Sequence, residues 1–128
     1  MKNINKVIKH NNFEVEFLYD KPTKKGFPNK DSIVLNIIYQ EKDKDYISYS
    51  YTFKTPGDEF IPRIGKAISY KKFKQEKITV KKEKNIFLGI LKDMYAFENF
   101  PKKYDKRIVN ILSGYIADEV AFSEDDDA

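Results

Sequence analysis

The stretch that decides the fold runs Tyr46-Ile-Ser-Tyr-Ser-Tyr-Thr-Phe-Lys-Thr-Pro-Gly-Asp-Glu-Phe-Ile-Pro-Arg-Ile-Gly-Lys-Ala-Ile-Ser-Tyr70. From Ile47 to Phe53, aromatic and aliphatic residues alternate with Ser and Thr, which is the two-residue period of a strand with one buried face. Thr55-Pro-Gly57 ends that strand, because proline and glycine favour a turn. Asp58 then stands where it can cap a helix, and Pro62 falls in the first turn, where proline is tolerated. The stretch predicts a strand, a tight turn and a helix.

The helix of this stretch has one apolar face at helical spacing. We expect that face to pack on the sheet; its residues are Phe60, Ile61, Ile64, Ala67 and Ile68.

Strand patterns flank this stretch on both sides. Residues 13–19 alternate between apolar and polar residues in the same way as residues 47–53, and they predict the first strand of the chain. Residues 33–39 are apolar at nearly every position and predict the second strand, and residues 77–82 predict a short fourth strand. Short connections between the first three strands predict an antiparallel meander. The continuous apolar run at 33–39 leaves two alternatives open: either helices cover both faces of the sheet, or one apolar face is a partner surface.

Helical patterns fill the rest of the chain. The predicted helices are residues 58–74, 85–99 and 104–122, with Asn85 able to cap the second. The predicted fold class is therefore α+β, a three- to four-stranded antiparallel sheet packed against two or three helices. We expect residues 1–122 to form a single domain and residues 123–128 to form an acidic, disordered tail.

Composition narrows the setting. The chain of 128 residues contains no cysteine, which excludes disulfides, thiol nucleophiles and thiolate metal sites. No apolar run is long enough to span a bilayer, and the N-terminus lacks the apolar centre of a signal peptide. These features predict a cytoplasmic protein that does not associate with membranes.

Groups able to perform catalysis are sparse in the sequence. His10 is the only histidine and lies in a polar N-terminal segment, so we expect a surface residue and not a general base. The carboxylate pairs Glu14/Glu16 and Asp43/Asp45 fit solvated faces better than a metal or acid–base site. No glycine-rich phosphate-binding loop is present. We therefore expect no catalysis, no cofactor and no metal site.

Charge is unevenly distributed along the chain. Residues 58–84 contain nine Lys and Arg against four Asp and Glu, and residues 85–128 contain five against nine. The middle segment predicts a basic strip able to follow a phosphate backbone or stack a base, although a solvated helix face has the same pattern. Only two of the 24 basic residues are arginine, which disfavours base-specific DNA recognition. The basic strip comprises Arg63, Lys66, Tyr70, Lys74, Lys77 and Lys81.

The stretch Lys54-Thr-Pro-Gly-Asp-Glu-Phe-Ile-Pro-Arg-Ile-Gly-Lys-Ala-Ile68 resembles a pattern in small phage and prophage proteins of low-GC Gram-positive bacteria. In these proteins a strand leads through a Pro-x-Asp-x-Phe turn into a helix with a basic-x-Gly-basic run. The resemblance implies an accessory protein that inhibits a host defence complex, such as a CRISPR effector, by direct binding in the host cytoplasm. The implied partner is a host protein or a ribonucleoprotein complex.

Two further functions and one assembly state stay open from the sequence. The chain is a nucleic-acid-binding accessory protein if the basic strip contacts phosphates. It sequesters a nucleotide signal if Arg63 or Arg107 binds the phosphates. A homodimer is compatible with the opposite charges of the middle and C-terminal segments.

Overall fold

The computed structural model describes residues 8–10, 13–21, 23 and 25–126. It contains one antiparallel sheet and three helices, which confirms the α+β class. The elements are β1 (Ile8–His10), β2 (Phe13–Tyr19), β3 (Val34–Glu41), β4 (Tyr46–Lys54), α1 (Pro62–Gln75), β5 (Ile78–Lys81), α2 (Ile86–Phe97) and α3 (Asp105–Asp126).

The sheet is a meander whose spatial order follows the chain, β1-β2-β3-β4-β5, with every neighbouring pair antiparallel. The predicted strands are confirmed, and the three-residue β1 adds one strand at the edge. β3 is central and pairs with β4 along its whole length, from Val34 opposite Lys54 to Glu41 opposite Ile47. β5 is shorter and pairs only with Tyr46–Tyr49. Residues 50–54 of β4 therefore extend beyond the end of β5.

Helices cover both faces of the sheet, which resolves the alternative left open by the apolar run at 33–39. We call the larger cluster the main core: alternate residues of β3 and β4, such as Leu35, Ile37 and Tyr49, pack there against α2 and α3. Val34 and Ile38 point the other way and pack with residues of β2 and with Phe73 of α1. We call this smaller cluster the second core. Both faces of β3 are therefore buried.

The boundaries of α2 and α3 follow local signals. Asn85 caps α2 as predicted, because its Oδ1 accepts a hydrogen bond from the Leu88 backbone N–H at 3.0 Å. α3 begins at Asp105 and extends to Asp126, so the backbone of residues 123–126 is helical where the sequence predicted a tail. Residues 127–128 lie outside the described part of the chain. Among the described residues, no helix combines the length and the apolar character that crossing a bilayer requires.

The predicted start of α1 is wrong. The helix begins at Pro62, with Ile61 as its N-cap residue and no capping hydrogen bond from a side chain. Asp58 instead accepts a hydrogen bond from Thr55 Oγ1 at 3.0 Å, which closes the turn around Gly57 with its φ of +96°. Proline is well suited to the first helical position, because its missing N–H would have no partner there and its φ is already helical. Pro62 therefore sets the start of α1, four residues after the predicted cap.

Candidate functional site

The apolar face predicted for α1 does not cover the sheet. Ile64 and Ile68 are 46% and 51% exposed, and Ala67 is also exposed. Only Phe60 of the predicted set packs in the second core, with its ring edge-on to Phe17 at 5.2 Å between centroids. The expectation that this face is buried is wrong. We call Ile61, Ile64 and Ile68, which recur at spacings of three and four, the apolar stripe.

The side of α1 that faces the sheet carries small and polar residues. Asn36 of β3 is 5% exposed and donates through Nδ2 to Thr52 Oγ1 at 3.2 Å. Thr52 Oγ1 in turn lies 3.0 Å from the hydroxyl of Ser69, which is fully buried in α1. A Cβ added to Gly65 would lie 2.9 Å from Asn36 Nδ2, so only glycine lets the helix approach this closely. Because polar groups on the sheet need polar or small partners, this contact turns the isoleucines outward.

A groove lies between the apolar stripe and β4. Its volume is about 230 Å³, and its walls are mostly apolar, with Thr52 and Phe53 on one side and the stripe on the other. Asn36 and Gly65 also line it. Asn36 Oδ1 is buried and has no hydrogen-bond partner among the described residues. Lys54, Asp58 and Glu59 are further lining residues, so the groove joins a mostly apolar lining to three charged side chains and a buried acceptor.

Two lysine side chains bind backbone carbonyls along β4 near this groove. Lys72 Nζ of α1 donates to the backbone carbonyl of Tyr51 at 2.6 Å and lies 4.4 Å from the centroid of the Tyr51 ring. At the end of the strand, Lys54 Nζ donates to the carbonyls of Ser32 and Thr55 at 2.8 and 3.1 Å. Burial lowers the pKa of Lys54, although Asp58 opposes that shift. Lysine side chains at an edge strand are a common defence against unwanted strand pairing.

The basic strip is partly assembled by the structure. Arg63, Lys66, Tyr70 and Lys74 follow one side of α1 at spacings of three and four, on the opposite flank from the apolar stripe. Arg63 and Lys74 are exposed, whereas Lys66 and Tyr70 are half-buried. Lys81 is exposed at the end of β5, opposite Tyr46.

Aromatic rings connect the end of the strip to the second core. Tyr70 and Phe73 each meet the ring of Phe13 edge-on, with centroids 5.2 and 5.0 Å apart. Lys74 Nζ lies 5.1 Å from the centroid of Tyr70, and Lys77 Nζ lies 5.4 Å from that of Phe73. The structure therefore brings Tyr70, Lys74 and Lys77 together. The Tyr70 ring thus contacts both Phe13 and Lys74 within the fold.

Arg107, proposed from sequence for a nucleotide phosphate, is engaged within the fold. Its guanidinium binds the Asp20 carboxylate at 2.7 Å and donates to the backbone carbonyl of Asp31 at 2.9 Å. Arg107 thus ties α3 to the end of β2.

The predicted carboxylate pairs lie in different settings. Glu14 and Glu16 share one face of β2, but Glu16 is buried and accepts from the Tyr39 hydroxyl at 3.2 Å, which contradicts a solvated face. Burial and both glutamates raise the pKa of Tyr39. Asp43 Oδ1 accepts from the backbone N–H groups of Asp45 and Tyr46, both at 2.9 Å, and so closes a turn. Within the described residues, no three His, Cys, Asp or Glu side chains are grouped to hold a metal. The side chain of His10 lies outside the described part.

Comparison with known proteins yielded no significant match to a family model, a curated protein or a solved structure.

The sequence analysis placed the apolar stripe in the core. It therefore missed the exposure of the stripe, the groove, and the contact of Lys72 with the Tyr51 carbonyl. One signal pointed to it. Asn36 is polar in an otherwise apolar strand and shares a face with Val34 and Ile38. A buried amide demands a polar or small partner, and Gly65 and Ser69 are the residues of α1 that provide one.

Proposed function

We propose that this protein acts by binding another protein through the outer surface of α1 and the adjoining groove. The observation that supports this is the exposure of Ile64 and Ile68 side by side on a structured helix. Adjacent exposed apolar residues next to a groove are typical of protein interaction sites, whereas single scattered ones are ordinary.

The charge of α1 indicates which kind of partner surface would bind to it. The helix contains Arg63, Lys66, Lys71, Lys72 and Lys74 and no acidic residue. An apolar stripe flanked by cations complements a partner with an apolar centre and an acidic rim. We propose that this partner is a subunit of a host defence complex, such as a CRISPR effector, and that binding inhibits it. The identity of the complex rests on the resemblance to phage proteins, and the mode of contact rests on α1.

The test compares three forms of the tagged protein. Ile64→Glu/Ile68→Glu puts two negative charges into the apolar stripe, and Asn110→Glu/Ser113→Glu puts two on the exposed side of α3 as a matched control. We expect the wild type and the α3 variant to retain one specific host protein, and the stripe variant to lose it. In a host with an active defence system, the same two forms should restore phage plating and the stripe variant should not. Equal retention and plating by all three forms would overturn the proposal.

Nucleic-acid binding is the second candidate, favoured by the clustering of Tyr70, Lys74 and Lys77. It predicts retention of a labelled oligonucleotide that weakens steeply with salt and with Lys74→Gln/Lys77→Gln, but not with the stripe variant.

A further inference from the structure

Residues 50–54 of β4, which extend beyond β5, carry backbone groups able to pair with another strand, although Ser50 and Tyr51 are buried and residues 52–54 are half-buried. The backbone N–H and C=O groups of Ile47 and Tyr49 point towards β5. The backbone carbonyl of Tyr51 points to the same side of β4, where it accepts a hydrogen bond from Lys72. Because the strand repeats every two residues, the N–H and C=O of Phe53 point to that side too. β5 begins at Ile78, opposite Tyr49, so among the described residues no strand lies against this part of β4.

The groove lies directly beside this edge, on the face covered by α1. A strand added to β4 would run about 4.8 Å away, and alternate side chains would project towards Ile64 and Ile68. The groove of about 230 Å³ suits one large apolar side chain. The edge supplies hydrogen bonds and the groove supplies side-chain selection, which are the two requirements of recognition by strand addition.

We propose that the partner binds as an extended segment that pairs with residues 50–54 of β4, inserts one apolar side chain into the groove and presents a carboxylate to Lys72. An incoming N–H takes over the Tyr51 carbonyl, and the ammonium group of Lys72 moves from that carbonyl to the carboxylate. Lys72 thus favours acidic strands over neutral ones by a few fold. This inference rests on the proposed function and specifies the conformation and the charge of the bound segment.

Charge also separates this occupant from a second copy of the chain. Pairing of two β4 edges would bring two α1 helices near each other, each with five cations and no anion. Like charges at that distance repel. An acidic segment gains from the same cations, so the surface favours a different protein.

The test is an NMR titration of isotope-labelled protein with the peptide acetyl-Glu-Thr-Leu-Thr-Val-Glu-amide. We expect amide shift changes at residues 50–54 and beside the groove. A peptide of the same sequence, N-methylated at its four central amides, keeps the side chains but loses the strand hydrogen bonds, and binding should disappear. The variant Lys72→Gln should weaken binding roughly two- to fivefold, as for an exposed ion pair, whereas Lys106→Gln, at an exposed lysine of α3, should leave it unchanged.

Three results would overturn the proposal that the partner binds as an added strand. Equal binding of the N-methylated peptide, shift changes confined to α1, or no binding at millimolar peptide would do so. Concentration-dependent shifts at 50–54 without peptide would assign the edge to self-association instead. None of these results affects the proposed function, which fails only if the stripe variant keeps its partner and its activity.

Discussion

The hydroxyl of Tyr49 donates a hydrogen bond to the carboxylate of Asp93, with 2.6 Å between Tyr49 Oη and Asp93 Oδ2. Tyr49 is fully buried at the centre of β4, and Asp93 is half-buried on α2. Two residues further along β4, the Tyr51 hydroxyl donates to Glu98 Oε2 at 3.3 Å. Two successive inward-facing tyrosines of β4 thus bind carboxylates of α2 and of its C-cap residue, which holds that helix against β4.

Removing this bond should measurably destabilise the domain. Hydrogen bonds to charged groups contribute about 1.5–3 kcal/mol, and the value here should lie at the lower end because water can reach Asp93 once it is released. We expect Tyr49→Phe to lower the free energy of unfolding by about 1.5 kcal/mol in urea denaturation. In a cycle with Asp93→Ala, the double variant should be about as stable as Asp93→Ala alone. Fully additive effects would mean that the two residues do not interact.

The buried tyrosines also predict how stability depends on pH. Burial raises the pKa of Tyr39, Tyr49 and Tyr51 above the ordinary value of 10.0, and the neighbouring carboxylates add to the shift. Above pH 10 the unfolded chain loses these protons and the folded chain keeps them. Since the folded state then binds more protons, stability falls as pH rises, by about 1.4 kcal/mol per pH unit for each such tyrosine.

Tyr49→Phe tests this dependence directly. We expect its stability to decline less steeply than that of the wild type above pH 10, by about 1.4 kcal/mol per pH unit. Denaturant unfolding at several pH values between 9 and 11.5 measures the two slopes. Parallel slopes would show that Tyr49 titrates alike in the folded and unfolded states.

Two helical glycines should respond in opposite ways to alanine. Ala is favoured over Gly by about 0.8–1.0 kcal/mol within a helix, and nothing lies within 4 Å of a Cβ at Gly114. Gly114→Ala should therefore stabilise the domain by about 1 kcal/mol. At Gly65 the added methyl meets Asn36 Nδ2, which is held by Thr52, so overpacking of about 1–3 kcal/mol opposes the same gain.

The two variants should accordingly differ by about 1–3 kcal/mol in thermal or urea unfolding. If Gly65→Ala is as stabilising as Gly114→Ala, the close approach of α1 to Asn36 is not what positions the helix.

The strands were predictable because the two-residue period identifies both the strand and its buried face. Where Ile47, Tyr49 and Tyr51 alternate with serines, the pattern gives the strand and also the face that is buried. The cap at Asn85 was likewise local, since the residue and its acceptor N–H are three positions apart. Such features need no knowledge of the rest of the chain.

The orientation of α1 was not predictable in the same way. Helical periodicity identifies an apolar side but does not say what the sheet presents to it. Here the sheet presents the Asn36 amide and the Thr52 hydroxyl, and placing Gly65 beside the amide and Ser69 against the hydroxyl outweighs burying Ile64 and Ile68. The groove and the part of β4 beyond β5 depend on that long-range contact and on the start of β5 at Ile78, opposite Tyr49, and a local sequence pattern shows neither.

This outward orientation of α1 gives a direct test by substitution. Ile68 is 51% exposed and Phe73 is 4% exposed, although both are apolar residues of one helix. We expect Ile68→Lys to change the free energy of unfolding by only about 0.5 kcal/mol, as is usual at surfaces, because lysine is also a good helix former. Phe73→Ala should lose about 3–5 kcal/mol, because it removes a ring from the second core. Were Ile68 buried as the periodicity suggested, its ammonium replacement would be the more damaging of the two, so urea denaturation of this pair decides which side of α1 holds the fold and which is free to bind.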